Sequence, residues 1–231
     1  MKKILKAAFL SSLPVMAGYV VLGIGFGIIA RQSGFGFWWV LAMSGLIYAG
    51  SMQYVGVSLL TGGASLLATA LTTLMVNARH LFYGISMIKN YETAGRKKPY
   101  LIFALTDETY SLVCSGAAPE GVDYHRYAFW LSLFDHCYWV LGSVLGALIG
   151  SIAGLDFTGV DFAMTALFLT VLVEQWKSTR EHLPALIGLG SSLLCLLVFG
   201  PDRFLIPAMV LITLLLLLCR SRLSGKEAQH A

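Results

Sequence analysis

Apolar runs long enough to cross a bilayer follow one another along this chain with short polar gaps between them. They cover approximately residues 7–30, 37–60, 64–88, 100–118, 128–153, 162–176, 184–199 and 203–219. Most approach the roughly 20 apolar residues that a spanning helix needs, although the last three are short. The pattern predicts an all-α membrane protein: a polytopic bundle of about eight transmembrane helices forming a single domain over 1–231.

Polar residues break these runs at particular places. Arg79 stands inside the third run, Asp107 and Glu108 inside the fourth, and Asp135 with His136 inside the fifth. An ionised side chain at the centre of a spanning helix costs about 2.5 to 3.5 kcal/mol on insertion scales, so these groups are expected to face one another, or water, inside the bundle. Helical spacing supports this. Thr69, Thr73, Asn77, His80 and Gly84 form one stripe; Asp107, Tyr110, Ser111, Cys114 and Ser115 a second; Ser132, Asp135, His136, Trp139 and Ser143 a third; and Ser44, Tyr48, Ser51, Val55 and Ser58 a fourth. For the serines and threonines, interhelical hydrogen bonding is an equally good account. His136 beside Asp135 also fits a satisfied core histidine.

Arg79 set against Asp107, Glu108 and Asp135 leaves a surplus of negative charge. Like charges and desolvation together favour keeping one carboxyl protonated. Such a group near His80 and His136 is a candidate proton-coupling site, which makes His80, Asp107, Glu108, Asp135 and His136 the coupling candidates.

The second run contains "YAGSMQY" at 48–54. Gly50 weakens a helix and Ser51 is a good N-cap, so a break here would expose amide donors beside Gln53. Transporters place such half-helix ends at anionic substrate groups. The competing reading makes Gly45, Ala49 and Gly56 a small-residue packing face. Gly23-Ile-Gly-Phe-Gly27 superficially resembles a nucleotide loop, but with no preceding strand it reads as a site of close helix packing.

Composition agrees with the pattern: 57% of the 231 residues are hydrophobic, 12% are charged, and mean hydropathy is +0.76. The net charge of +4 is spread over termini and loops rather than gathered on a nucleic-acid surface, and reads as orientation. Lys2, Lys3 and Lys6 place the N-terminus in the cytoplasm. Eight crossings return Arg220, Arg222 and Lys226 to the same side, with Lys177 and Arg180 inside and the acidic turn over 154–161 outside. On this count the basic loop 89–98, with Lys89, Arg96, Lys97 and Lys98, falls outside against the rule. A re-entrant or broken segment within 37–88 would remove the conflict. The first run imitates a signal peptide but continues unbroken to Ala30, and is read as an uncleaved helix. Glu174 is expected to be solvated near a helix end. Cys114, Cys137, Cys195 and Cys219 lack CxxC spacing and are expected to be free thiols.

"YAGSMQY" at 48–54, "NARHLFYG" at 77–84 and "LTDETYSL" at 105–112 together resemble the AzlC-type branched-chain amino-acid permease family, in order and spacing and over nearly the whole chain. Met52, where the family usually has a small or polar residue, departs from its pattern. The resemblance implies a bacterial inner-membrane exporter of branched-chain or similar hydrophobic amino acids, working with a small AzlD-type membrane subunit and without a cofactor. Joined to the residues, it implies a substrate carboxylate held by Arg79 and the amides near Ser51, and an ammonium held by Asp107 or Glu108. Gln53 and Asn77 would stand nearby, with Tyr54, Tyr83 and Tyr110 framing the apolar side chain. Three other classes remain: an intramembrane metal-dependent hydrolase, although neither HExxH nor GxSxG occurs; a non-transporting assembly subunit whose polar seam grips partner helices; and an ion channel, although no ring-forming filter repeat is visible.

Overall fold

The computed structural model describes residues 1–152, 182–200 and 204–227, with isolated positions between 159 and 177. Every regular element among the described residues is helical. Most of the acidic turn 154–161 and of the run 162–176, with Glu174 and Arg180, lies outside the described residues, as do the side chains of Arg220, Arg222 and Lys226. The chain divides into two compact units, Met1–Leu167 and Phe168–Ala231. In the second, α9 (Leu183–Phe199) packs on α10 (Leu205–Glu227).

The first unit is built on two helices long and apolar enough to cross a membrane, α1 (Lys2–Gln32) and α8 (Tyr124–Ile149). Glycine lets their backbones touch. A β-carbon on Gly23 would sit 2.9 Å from the Ser143 amide nitrogen, and one on Gly142 2.6 Å from the Val20 carbonyl oxygen. At Gly27 and Gly146 it would collide outright with the Ser143 and Ile24 carbonyls. This is the small-xxx-small packing that replaces a hydrophobic driving force in lipid, and it confirms the packing role expected for the Gly23–Gly27 stretch. The helices run parallel: Phe9 meets Phe134, Tyr19 meets Trp139, and Gly27 meets Ala147.

The next three predicted runs are not continuous helices; each is interrupted. The second splits into α2 (Phe37–Leu46) and α3 (Gly50–Thr61), with Tyr48 at φ 46° between them. A left-handed backbone is rare and strained for a tyrosine. The third splits at Asn77 into α4 (Leu66–Val76) and α5 (Ala78–Met87). The fourth splits into α6 (Lys98–Phe103) and α7 (Asp107–Val113), the latter N-capped by Thr106. For the rival packing account of the second run no neighbour is found: among the described residues, a β-carbon on Gly45 or Gly56 would meet nothing within 4 Å.

Contacts with α1 and α8 fix where each piece lies. From its start near Phe35, α2 descends until the Ser44 carbonyl reaches His136; α3 then climbs back, placing Gly50 on Trp139 and Tyr54 on Phe26. In the same manner α6 rises from the N-terminal end of α8, where Tyr100 meets Phe129, to Phe103 beside His136. After the turn α7 returns, so that the Val113 carbonyl accepts from the Tyr124 hydroxyl at 2.9 Å. Two hairpins therefore enter from opposite ends of the α1/α8 pair, with their tips at mid-height, while α4 and α5 run between the ends.

This arrangement corrects the expected placement of loop 89–98. Tyr91 and Ala94 are buried in a cluster with Ala8, Leu101, Tyr127 and Ala128, and His125 Nε2 lies 3.0 Å from the Asn90 carbonyl oxygen. The basic loop thus sits at the same end as the N-terminus and its lysines. The conflict with the charge rule came from counting the first hairpin, over 37–61, as a crossing. Elsewhere the surface suits hydrocarbon: Leu66 is 90% exposed, Trp38 76% and Phe82 70%, more apolar exposure than a water-facing surface carries. The cysteines are free.

Candidate functional site

Each quoted motif begins at a helix interruption. Breaking a helix leaves its first amides and last carbonyls without partners, and in lipid that is tolerable only where protein or a cavity covers them. The three breaks lie together. Arg79, in the first turn of α5, donates from Nη2 to Ser51 Oγ at 3.0 Å in the first turn of α3, and its Nη1 pairs with Asp107 Oδ2 at the start of α7. The Arg79 and Asp107 side chains are 32% and 25% exposed, and a pair shielded to that degree is more than a surface ornament. Arg79 Nε and Asp107 Oδ1 are both buried without a hydrogen-bond partner among the described residues.

A cavity of about 250 Å³ is lined by residues that flank the pair in sequence, although not by Arg79, Asp107, Glu108, Ser51 or Gln53 themselves. Tyr48 and Ala49 come from the first interruption, Asn77 and His80 from the second, and Phe103 and Leu105 from the third. Ile47, Gly84 and Ile102 complete a mostly apolar wall. His80 turns its Nδ1 toward the Asn77 carbonyl at 3.3 Å. Tyr83 stacks on Tyr110 with centroids 4.5 Å apart.

Other sequence-predicted residues lie close by but are engaged elsewhere. Gln53 is buried, donates to Ser44 Oγ at 3.3 Å and accepts from Trp139 Nε1 at 2.9 Å. It ties the two arms of the first hairpin to α8. The Tyr54 hydroxyl donates to the Leu22 carbonyl at 2.6 Å and so belongs to packing on α1. His136 makes no hydrogen bond to Asp135. Its Nδ1 lies 3.1 Å from the Tyr100 hydroxyl, its Nε2 3.3 Å from the Ser44 carbonyl, and its ring stacks on Tyr48 at 4.2 Å.

The stripe on the fifth run holds, for Ser132, Asp135, Trp139 and Ser143 are all buried. The stripe on the fourth does not extend past its first turn: Ser111, Cys114 and Ser115 are exposed because α7 turns back toward the end from which α6 came. Three buried residues that the sequence reading passed over connect the carboxylates. The Tyr19 hydroxyl lies 2.6 Å from both Glu108 Oε2 and Thr106 Oγ1. Thr106 Oγ1 is 3.1 Å from Thr109 Oγ1, which donates to Asp135 Oδ2 at 2.8 Å. The available signal was a tyrosine within the aliphatic stretch Val15–Leu22 and threonines flanking "DE" in "TDET". Among the described residues, His80, His136 and the three carboxylates do not gather into a group that could hold a metal ion.

The AzlC protein family model matches residues 14–153, which include all three interrupted segments. The branched-chain amino acid transport protein AzlC of Bacillus subtilis is 41% identical over 222 residues, covering 96% of this chain and 87% of that one. An uncharacterized membrane protein of Haemophilus influenzae is also 41% identical over 222 residues, covering 96% of this chain and 91% of its own. The inner membrane protein YgaZ of Escherichia coli is 28% identical over 177 residues, with coverages of 74% and 72%. No solved structure matches the chain. With a family model covering more than half its length and relatives aligned almost end to end, the chain belongs to the AzlC family.

Proposed function

We propose that this chain is the large subunit of a proton-coupled exporter of branched-chain or similar hydrophobic amino acids in the bacterial inner membrane. Both termini lie in the cytoplasm, residues 1–231 act as one transport domain, and a small AzlD-like membrane subunit completes the complex. The name of the Bacillus subtilis relative supports the substrate class. The observation that carries the reading is the meeting of three helix interruptions around the Arg79–Asp107 pair, with a largely apolar cavity lined by residues of the same three interruptions.

A zwitterion with an aliphatic side chain needs a cation, an anion and a greasy pocket within a few ångströms of each other. Arg79 supplies the first, and its planar fork matches a carboxylate. Asp107 supplies the second. The cavity walls from Ile47, Ile102, Phe103 and Leu105 supply the third, as small-molecule sites commonly do. The amides at the starts of α3 and α5 add partial positive charge on the carboxylate side. Without substrate the two ions satisfy each other, which makes the arginine tolerable in lipid. With substrate they part and each takes one end of it.

Arg79 Nε and Asp107 Oδ1 are covered, so a solute that takes these two atoms as partners needs the half-helices to move. Hairpins anchored at opposite ends supply alternative openings for alternating access. No covalent step is involved.

The test is leucine counterflow in proteoliposomes. Arg79→Gln removes a charge-assisted contact of about 1.5 to 3 kcal/mol and is expected to reduce counterflow about 10- to 100-fold. Counterflow unchanged by Arg79→Gln would refute the site, and wild-type vesicles inert with and without the partner subunit would refute the function.

A further inference from the structure

We propose that Tyr19, Thr106 and Thr109 form a hydroxyl relay that carries one proton between the carboxyl groups of Glu108 and Asp135. The inference deepens the transport reading, because it names the path by which a proton would be coupled; its geometry stands apart from the identity of the substrate. The chain is continuous, with oxygen separations of 2.6 Å from Glu108 to Tyr19, 2.6 Å from Tyr19 to Thr106, 3.1 Å from Thr106 to Thr109 and 2.8 Å from Thr109 to Asp135. Three separate helices supply it: α1, the cap and first turn of α7, and α8.

Each hydroxyl has one proton and sits between two oxygens, so the chain has two consistent orientations. In one, Glu108 is the acid and donates to Tyr19, Tyr19 to Thr106, Thr106 to Thr109, and Thr109 to the Asp135 carboxylate. In the other every bond is reversed and Asp135 is the acid. Passing between them moves each proton one place along; each O–H bond that breaks is matched by one that forms on the neighbouring oxygen. Glu108 ends as a carboxylate, Asp135 ends as an acid, and no other reactant is needed.

The two ends differ in the way a relay requires. Glu108 is half-buried and adjacent in sequence to Asp107 of the ion pair. Asp135 is completely buried, with its second oxygen unpartnered among the described residues, a costly position for a permanent charge. Besides Tyr19, the titratable and charged groups within reach of these carboxyls are Tyr48 from the tip between α2 and α3, Arg79 and Tyr83 from α5, Tyr100 from α6 and Asp107 from α7. His136, next to Asp135 on α8, is occupied by Tyr100 and Ser44. Among the described residues, the hydrogen-bonded path from Asp135 to Glu108, beside the ion pair, runs through these hydroxyls. When the Arg79–Asp107 pair opens around a substrate, the field at Glu108 changes and the proton relocates.

The experiment follows the carboxylic-acid C=O stretch of Asp135, assigned by its loss in Asp135→Asn, by infrared spectroscopy of the reconstituted protein after transfer to D2O. Leucine counterflow and leucine-driven proton movement are measured in the same vesicles. Tyr19→Phe and Thr109→Val each remove one hydroxyl while keeping its shape, and are expected to slow deuteration of Asp135 about 100-fold. Proton movement per leucine falls with it, and Thr109→Ser restores both. Deuteration as fast in both variants as in wild type, or absence of an Asp135 acid band at every pH, overturns the relay even if leucine transport is intact. Deuteration that depends on the hydroxyls in vesicles that fail to transport leucine supports the relay and refutes the transport reading instead.

Discussion

Arg79 is affordable in a hydrophobic setting because Asp107 and Ser51 meet it. Removing one member of a shielded ion pair leaves the other uncompensated, whereas removing both need not. Asp107→Asn is therefore expected to lower the thermal stability of the purified protein, and the double variant Arg79→Gln with Asp107→Asn to recover most of that loss while remaining inactive; melting curves in detergent check this. Gln53 makes a different prediction. Its amide satisfies both Ser44 and the Trp139 indole, so Gln53→Leu leaves buried polar groups unpaired at a cost of about 1 to 3 kcal/mol. The loss should appear in stability, with the leucine affinity of the folded fraction close to wild type. Sequence spacing singled out Gln53 as a polar residue near a helix break but gave no means of knowing that a tryptophan from α8 would claim it.

At the scale of elements, glycines with identical local sequence character play unlike parts. Gly27 and Gly146 hold α1 and α8 in backbone contact, while Gly45 and Gly56 have no such neighbour among the described residues. Gly146→Val forces the helices apart, which overpacking data place at about 1 to 3 kcal/mol or more, and the yield of monodisperse protein should collapse. Gly45→Ala and Gly56→Ala should leave it unchanged. The contact at Gly23–Gly27 was legible in the sequence because small residues four apart in an apolar run have few other uses. The break at Gly50 was legible from its glycine, but Ser51 is not the cap it was expected to be: the helix begins at Gly50 after Ala49, and the Ser51 hydroxyl accepts from Arg79 instead. The breaks at Asn77 and at 104–106 were not legible, since Thr69, Thr73, Asn77, His80 and Gly84 keep helical spacing straight through the interruption. Periodicity cannot tell a continuous helix from two that meet end to end.

For the whole molecule, the hydropathy pattern correctly gave an all-helical chain, but it counted each hairpin as a crossing. Charge held the missing information. The loop with Lys89, Arg96, Lys97 and Lys98 belonged with the N-terminal lysines, and a hairpin entering and leaving at one end reconciles the two. In a cysteine-free background, Glu92→Cys and Ala117→Cys should therefore react with an impermeant thiol reagent from the same side of the membrane as Lys3→Cys, and Ser65→Cys from the opposite side. The central claim, that three interrupted helices hold both ends of an amino acid between Arg79 and Asp107, is tested most directly by equilibrium competition binding. Leucine is compared with leucinamide, which lacks the carboxylate, and with 4-methylpentanoate, which lacks the ammonium. The account predicts that each analogue binds at least about tenfold more weakly than leucine, as loss of a charge-assisted contact requires, and that Arg79→Gln narrows the gap between leucine and leucinamide. Leucinamide binding as tightly as leucine, with or without Arg79, would contradict it.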